Sequence, residues 1–114
     1  MKKFDLRQIE TFSYAERQKN VLYEKPEFKI RIISLEAGEI IPECQMSSQV
    51  IFFCLKGMVK VTVDGENTEL GEKQLLVSGP GVYSMKAVEK SRLLGIQVKP
   101  EAVQGSDEAS FQFF

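Results

Sequence analysis

From Phe28 onward, apolar and polar residues alternate with a period of two, the signature of strands with one buried face. The segment "FKIRI" places Phe28, Ile30 and Ile32 on one face and Lys29 and Arg31 on the other, which reads as a half-buried strand. "MVKVTVDGENTEL" repeats the pattern with Val59, Val61 and Val63 against Lys60 and Thr62. Asp64-Gly65 then supplies the chemistry of a tight hairpin turn, with a return strand near Asn67 to Leu70. "LLVSGPG" is a short apolar strand ending at the Gly79-Pro80-Gly81 turn, and "VYSMKAV" and "RLLGIQV", joined by "EKS", read as a last hairpin. Strands about ten residues apart, separated by Gly, Asp-Gly and Pro-Gly, predict an all-β sandwich or barrel. The stretch Ile9 to Asn20 fits a short helix or an irregular arm equally well.

"VIFFCL", Val50 to Leu55, does not alternate. If Val50, Phe52 and Cys54 point into a barrel, Ile51, Phe53 and Leu55 point out and need cover. A second copy of the chain supplies it in an isologous dimer; the N-terminal arm or the aromatic C-terminal tail are the other sources.

With 114 residues the chain is one domain, since two halves would each be too small for a useful core. Its 43% hydrophobic and 27% charged residues are those of a globular protein. A net charge of -1 gives no footprint for nucleic acid. The start, "MKKFDLRQIETF", lacks the apolar core of a signal peptide, and no run approaches the ~20 apolar residues of a membrane span. The expectation is a cytoplasmic protein in which Cys44 and Cys54 stay reduced. The chain contains no histidine, so it cannot assemble an ordinary closed zinc site from its own residues.

Gly38, Pro42, Cys44, Met46, Val50 and Gly57 fall on the spacing G-x5-H-x-H-x3-E-x6-G, and in this the chain resembles the cupin superfamily. The family's second motif, G-x5-P-x-G-x2-H-x3-N, is matched more loosely by Gly71 and Gly79-Pro80-Gly81. Strict counting puts Val82 at its histidine position, with Tyr83 one residue beyond. Parity favours Tyr83: turned inward it brings Met85 and Ala87 with it, whereas Val82 would bring Ser84 and Lys86. The resemblance, over about Phe28 to Val98, implies a single-domain jelly roll of the double-stranded β-helix type, often a homodimer. The divisions expected are an N-terminal arm or edge strand over 1–27, a cupin barrel over 28–99 and a tail over 100–114.

Typical members hold Fe, Mn, Ni or Zn at these positions, where this chain has Cys44, Met46, Val50 and Tyr83. Valine offers no ligand and a thioether is a weak, soft one, so hard-metal chemistry is not expected and no cofactor is assigned. The leading expectation is a metal-free barrel that binds or senses a small molecule at a mouth lined by Cys44, Met46, Val50, Phe52, Cys54, Tyr83 and Met85. Competing readings are a metal-free isomerase or lyase using Tyr83, a soft-metal (Cu or Fe) enzyme using Cys44 and Met46 with Cys54, and a filled barrel that serves only interactions. The expected partners are a small-molecule ligand and a second copy through Ile51, Phe53 and Leu55, without nucleic acid or membrane.

Overall fold

The computed structural model describes residues 1–99; the tail expected over 100–114, with its aromatic end, lies outside them. A 3-10 helix, Tyr14–Asn20, is followed by nine strands: β1 (Val21–Glu24), β2 (Phe28–Leu35), β3 (Ile40–Met46), β4 (Gln49–Lys56), β5 (Met58–Val63), β6 (Glu66–Gly71), β7 (Leu75–Ser78), β8 (Gly81–Ala87) and β9 (Ser91–Val98). They form two antiparallel sheets, β1-β2-β9-β4-β7 and β3-β8-β5-β6, packed face to face as a jelly roll. The all-β, single-domain barrel expected from the alternating pattern is the architecture found.

The turns are local. Asp64 and Gly65 both take positive φ, 50° and 83°, as a two-residue hairpin requires, and β5 and β6 pair around them from Val63 opposite Glu66. Gly57 has φ 89°, and a Cβ placed on it would lie 2.3 Å from the Lys90 carbonyl oxygen. That joint between β4 and β5 therefore tolerates no side chain. Beside it Ser91 Oγ accepts from the Met58 amide at 3.0 Å and donates within the same turn, where the Glu89 carbonyl lies 2.7 Å away.

Two expectations are corrected. β8 and β9 are not a hairpin: β8 pairs with β3 and β5, whereas β9 runs between β2 and β4 in the other sheet. The short connection turns a corner between sheets, anchored by Ser91. Second, β2 is covered on both faces. Ile33 and Leu35 lie in the core between the sheets, and Lys29 and Arg31, of the same parity, are turned inward with them and are 6% and 2% exposed. The expected polar outer face of β2 is instead the apolar one, with Ile32 fully buried.

The N-terminal arm closes the seam at β2. Asn20 is clamped to the Phe12 backbone by two hydrogen bonds, Ser34 and Thr11 hydroxyls meet at 2.9 Å, and the Arg92 guanidinium donates to the Leu6 and Ile9 carbonyls. On the opposite side, where β6 and β7 are the free edges, the sheets part in an open groove bordered by Val63, Asp64, Asn67, Leu76 and Ser78.

Candidate functional site

The motif positions converge on one end of the barrel. β3 carries a bulge between Ile41 and Cys44, at Pro42-Glu43, where proline cannot donate to the ladder. Beyond the bulge Cys44 lies opposite Tyr83 and Met46 opposite Gly81. Val50 enters β4 just after the Ser47-Ser48 turn, so Met46, Ser48 and Val50 share this end. Met46, Val50, Phe52, Cys54 and Tyr83 are fully buried, Met85 nearly so, and Cys44 is half-buried. Tyr83, rather than Val82, is the inward residue of the pair, its ring edge-on to Phe52 at 6.4 Å between centroids.

Cys54 stands apart. It lies four residues further along β4, at the opposite end of the barrel, where its thiol donates to the carbonyls of Lys56 and Gly57 at 3.4 and 3.6 Å. Cys44 Sγ, by contrast, is 3.6 Å from Met46 Sδ. Burial pushes both thiols up from their ordinary value; the Arg17 charge partly opposes this at Cys44, whereas Glu72 and Glu89 add to it at Cys54. Burial likewise raises the Tyr83 phenol, against a lowering hydrogen bond with Ser78, and its hydroxyl donates to the Gly79 carbonyl.

This donor set does not fit the family's metals. Val50 has no donor atom, Tyr83 spends its proton on a carbonyl, the thiol is held protonated, and among the described residues no group of three His, Cys, Asp or Glu side chains comes together.

What the motif reading missed is the polar set beside those positions. Across the first sheet, Lys29, Gln97 and Val50 occupy one row, and Arg31, Gly95 and Phe52 the next. The position that carries the family's carboxylate therefore shares its row with a buried amide and a buried ammonium. Gln97 Nε2 donates to Ser48 Oγ at 3.4 Å. Lys29 Nζ is 3.4 Å from Glu24 Oε2, which Lys99 also approaches at 3.2 Å. Burial depresses the Lys29 ammonium, with Glu24 opposing; burial and the nearby Arg17 charge bring Arg31 down to about 10. A sequence signal existed: β9 alternates Leu94, Ile96 and Val98 with Leu93, Gly95 and Gln97, so its inner face turns small and polar toward this end.

The match to known structures rests on this barrel. A cupin of the RmlC-like type from Desulfovibrio desulfuricans is similar over 86% of this chain and 96% of its own, with TM-score 0.71 and 20% identity. The fold is that of the cupin superfamily. A conserved protein of unknown function from Streptococcus pyogenes is similar at 28% identity and TM-score 0.67, covering 72% of this chain and 73% of that one. A salicylate 1,2-dioxygenase from Pseudoaminobacter salicylatoxidans is similar over 64% of this chain and 20% of its own, at 22% identity and TM-score 0.60. No protein-family model and no curated protein matches the chain.

Proposed function

We propose that this chain is a metal-free cupin barrel that binds or senses a small molecule at the end where Cys44, Met46, Val50, Phe52, Tyr83 and Met85 converge, in a non-catalytic or accessory role. Cys54, expected to line the same mouth, contributes to the closed end of the same interior. The observation that supports this is the row Val50, Gln97, Lys29: the carboxylate position has become apolar, yet a buried amide and a buried ammonium stand beside it. Burying polar and charged groups is costly, and a barrel that served only as packing would gain by filling the row with hydrocarbon.

The catalytic alternative through Tyr83 is disfavoured, because a phenol raised by burial and bonded to a carbonyl is a poor base at neutral pH. Among the described residues, the soft-metal alternative would rest on Cys44 and Met46, whose sulfurs lie 3.6 Å apart, with Cys54 held elsewhere. A thermal-shift screen of natively purified protein tests the proposal: binding raises Tm in proportion to the logarithm of ligand concentration. Stoichiometric copper or iron by elemental analysis, or no shift across a broad metabolite library, overturns it.

The proposal includes a homodimer. Ile51 and Phe53 sit on the outer face of the first sheet beside Leu94 and Ile96, and the free edge strand β7 continues that face with exposed Leu75 and Val77. An edge strand paired with its own two-fold copy extends the sheet and covers these side chains, Leu55 included. Light scattering of wild type and Val77→Lys, expected to be dimer and monomer, checks it. Cytoplasmic location belongs to the same reading; both cysteines are free thiols, and no helix among the described residues is long and apolar enough to cross a membrane.

A further inference from the structure

The closed end of the barrel carries a second polar feature, on its outside. Ser34, Arg92 and Lys56 are neighbours in one row across β2, β9 and β4, so two cations stand side by side in the sheet. Like charges set opposite one another on adjacent strands are destabilising. The row borders a cleft of about 360 Å³, completed by Thr11 of the N-terminal arm and by Lys90 and Ser91 where β8 gives way to β9. Among the described residues, three cations line this cleft and no carboxylate does.

The cations keep donors to spare. Arg92 spends Nη2 on the Leu6 and Ile9 carbonyls, which fixes the guanidinium and leaves Nε and Nη1 without a hydrogen bond among the described residues. Lys56 has neither a hydrogen bond nor an ion pair among them. Lys90 has Glu36 at 4.0 Å, but both side chains are largely exposed, and water makes such a pair weak. Ser34 and Thr11 share one hydrogen bond between their hydroxyls at 2.9 Å; two hydroxyls bring two protons, so one O–H is left to donate. The Ser91 hydroxyl is already committed to Met58 and Glu89. That commitment, with the Lys90 carbonyl packed against Gly57, holds the corner rigid.

We propose that this cleft binds a phosphate monoester with a polar, hydroxyl-bearing body. A phosphate brings three strong acceptor oxygens and close to two negative charges, which match a fixed guanidinium, two ammoniums and a hydroxyl; a carboxylate answers fewer of them. The cleft has the volume of a small-molecule site and holds more than a bare phosphate, so a further group accompanies the phosphorus. Its lining has no aromatic ring and no Leu, Ile, Val or Met side chain against which an apolar body could pack. The site lies outside the barrel and is independent of what the mouth binds.

Calorimetric titration of the full chain at low salt, with sodium phosphate, glycerol 3-phosphate, phenyl phosphate and glycerol as probes, tests the site. Glycerol 3-phosphate is expected to bind best, phenyl phosphate no more tightly than inorganic phosphate, and glycerol not at all; added sodium chloride should weaken all three phosphates. In 15N spectra the bound ester is expected to shift the Thr11, Ser34 and Arg92 amides and to leave those of Cys44 and Ser48, at the mouth, in place. Lys56→Gln and Arg92→Gln should each weaken binding about tenfold, whereas Lys60→Gln, at an exposed lysine of the second sheet, should change it by about twofold at most. Lys56 is exposed and makes no polar contact among the described residues, so its variant decides even if Arg92→Gln, which also loosens the arm, fails to fold. No binding of any phosphate, shifts centred on the mouth, or an equal loss at Lys60 overturns the site. Bare phosphate or phenyl phosphate binding as well as the glycerol ester overturns the polar body.

Discussion

The two ends of the barrel interior are equally buried and chemically opposite. At the closed end, around the β4–β5 joint, Leu35, Cys54, Val59, Ala87 and Leu93 pack as hydrocarbon and sulfur, and the polar groups present are backbone carbonyls answered by a thiol and a serine. At the other end, past Phe52, the first sheet turns Lys29, Arg31 and Gln97 inward, and Ser48 joins them, buried, from the β3–β4 turn. Burial alone does not separate a core from a site. The closed end gains stability from every methylene it buries, whereas the cationic end loses some by desolvating charge, so the two should answer mutation differently.

The largest expected effect lies where the ends meet. Phe52 is fully buried, touching Tyr83 on one side and covering Gly95 on the other, so Phe52→Ala leaves a cavity lined by rigid strands and should cost about 3–5 kcal/mol in urea unfolding. Next comes the closed end's joint. Gly57→Ala combines a left-handed backbone with a contact to the fixed Lys90 carbonyl and should cost about 2–3 kcal/mol, again by urea melts. A loss under about 0.5 kcal/mol at Gly57 would mean that the joint is softer than the packing around Ser91 implies.

At the cationic end the expectation is reversed in kind. Lys29→Met removes a buried ammonium, and Glu24, the carboxylate 3.4 Å from it, is itself half-exposed and keeps Lys99 at 3.2 Å, so that carboxylate is not left stranded. Stability should then change by no more than about 1 kcal/mol in either direction, although the residue is as buried as many core positions. A loss as large as that of Phe52→Ala would erase the distinction between the ends and make Lys29 a structural residue.

How much of this was legible follows the same division. Strands and turns were readable because their causes are local: alternation marks β5, Asp64-Gly65 forces its hairpin, and Gly57 sits where only glycine fits. The inward turn of Tyr83 follows from the parity it shares with Met85 and Ala87. The face of Lys29 and Arg31 was not readable, because "FKIRIISL" has apolar residues of both parities and the even set is buried by the N-terminal arm rather than by the sheet's partner. The β8–β9 corner failed for a related reason: a short connection serves a hairpin or a change of sheet equally well, and distant pairing with β2, β3, β4 and β5 decides between them.

The smallest effect expected compares the two thiols, one toward each end. Both are raised above the ordinary value of 9.0 by burial, so both are held as thiols in the folded state. An acid raised by folding contributes stability that is present below its unfolded value and lost as pH rises through its folded one. Urea midpoints should therefore be flat from pH 7 to about 8.5 and fall above pH 9, with Cys54→Ala losing part of that fall. Within the folded protein the ends separate further. Cys44 is half-buried and feels Arg17, whereas Cys54 is enclosed and feels Glu72 and Glu89, so iodoacetamide followed by mass spectrometry should modify Cys44 first. Arg17→Gln should slow that reaction by a few-fold, since it removes the charge that favours the thiolate. If Cys54 reacts first, or if Arg17→Gln leaves Cys44 unchanged, then Arg17 does not reach across the seam, and the cationic end is smaller than the geometry draws it.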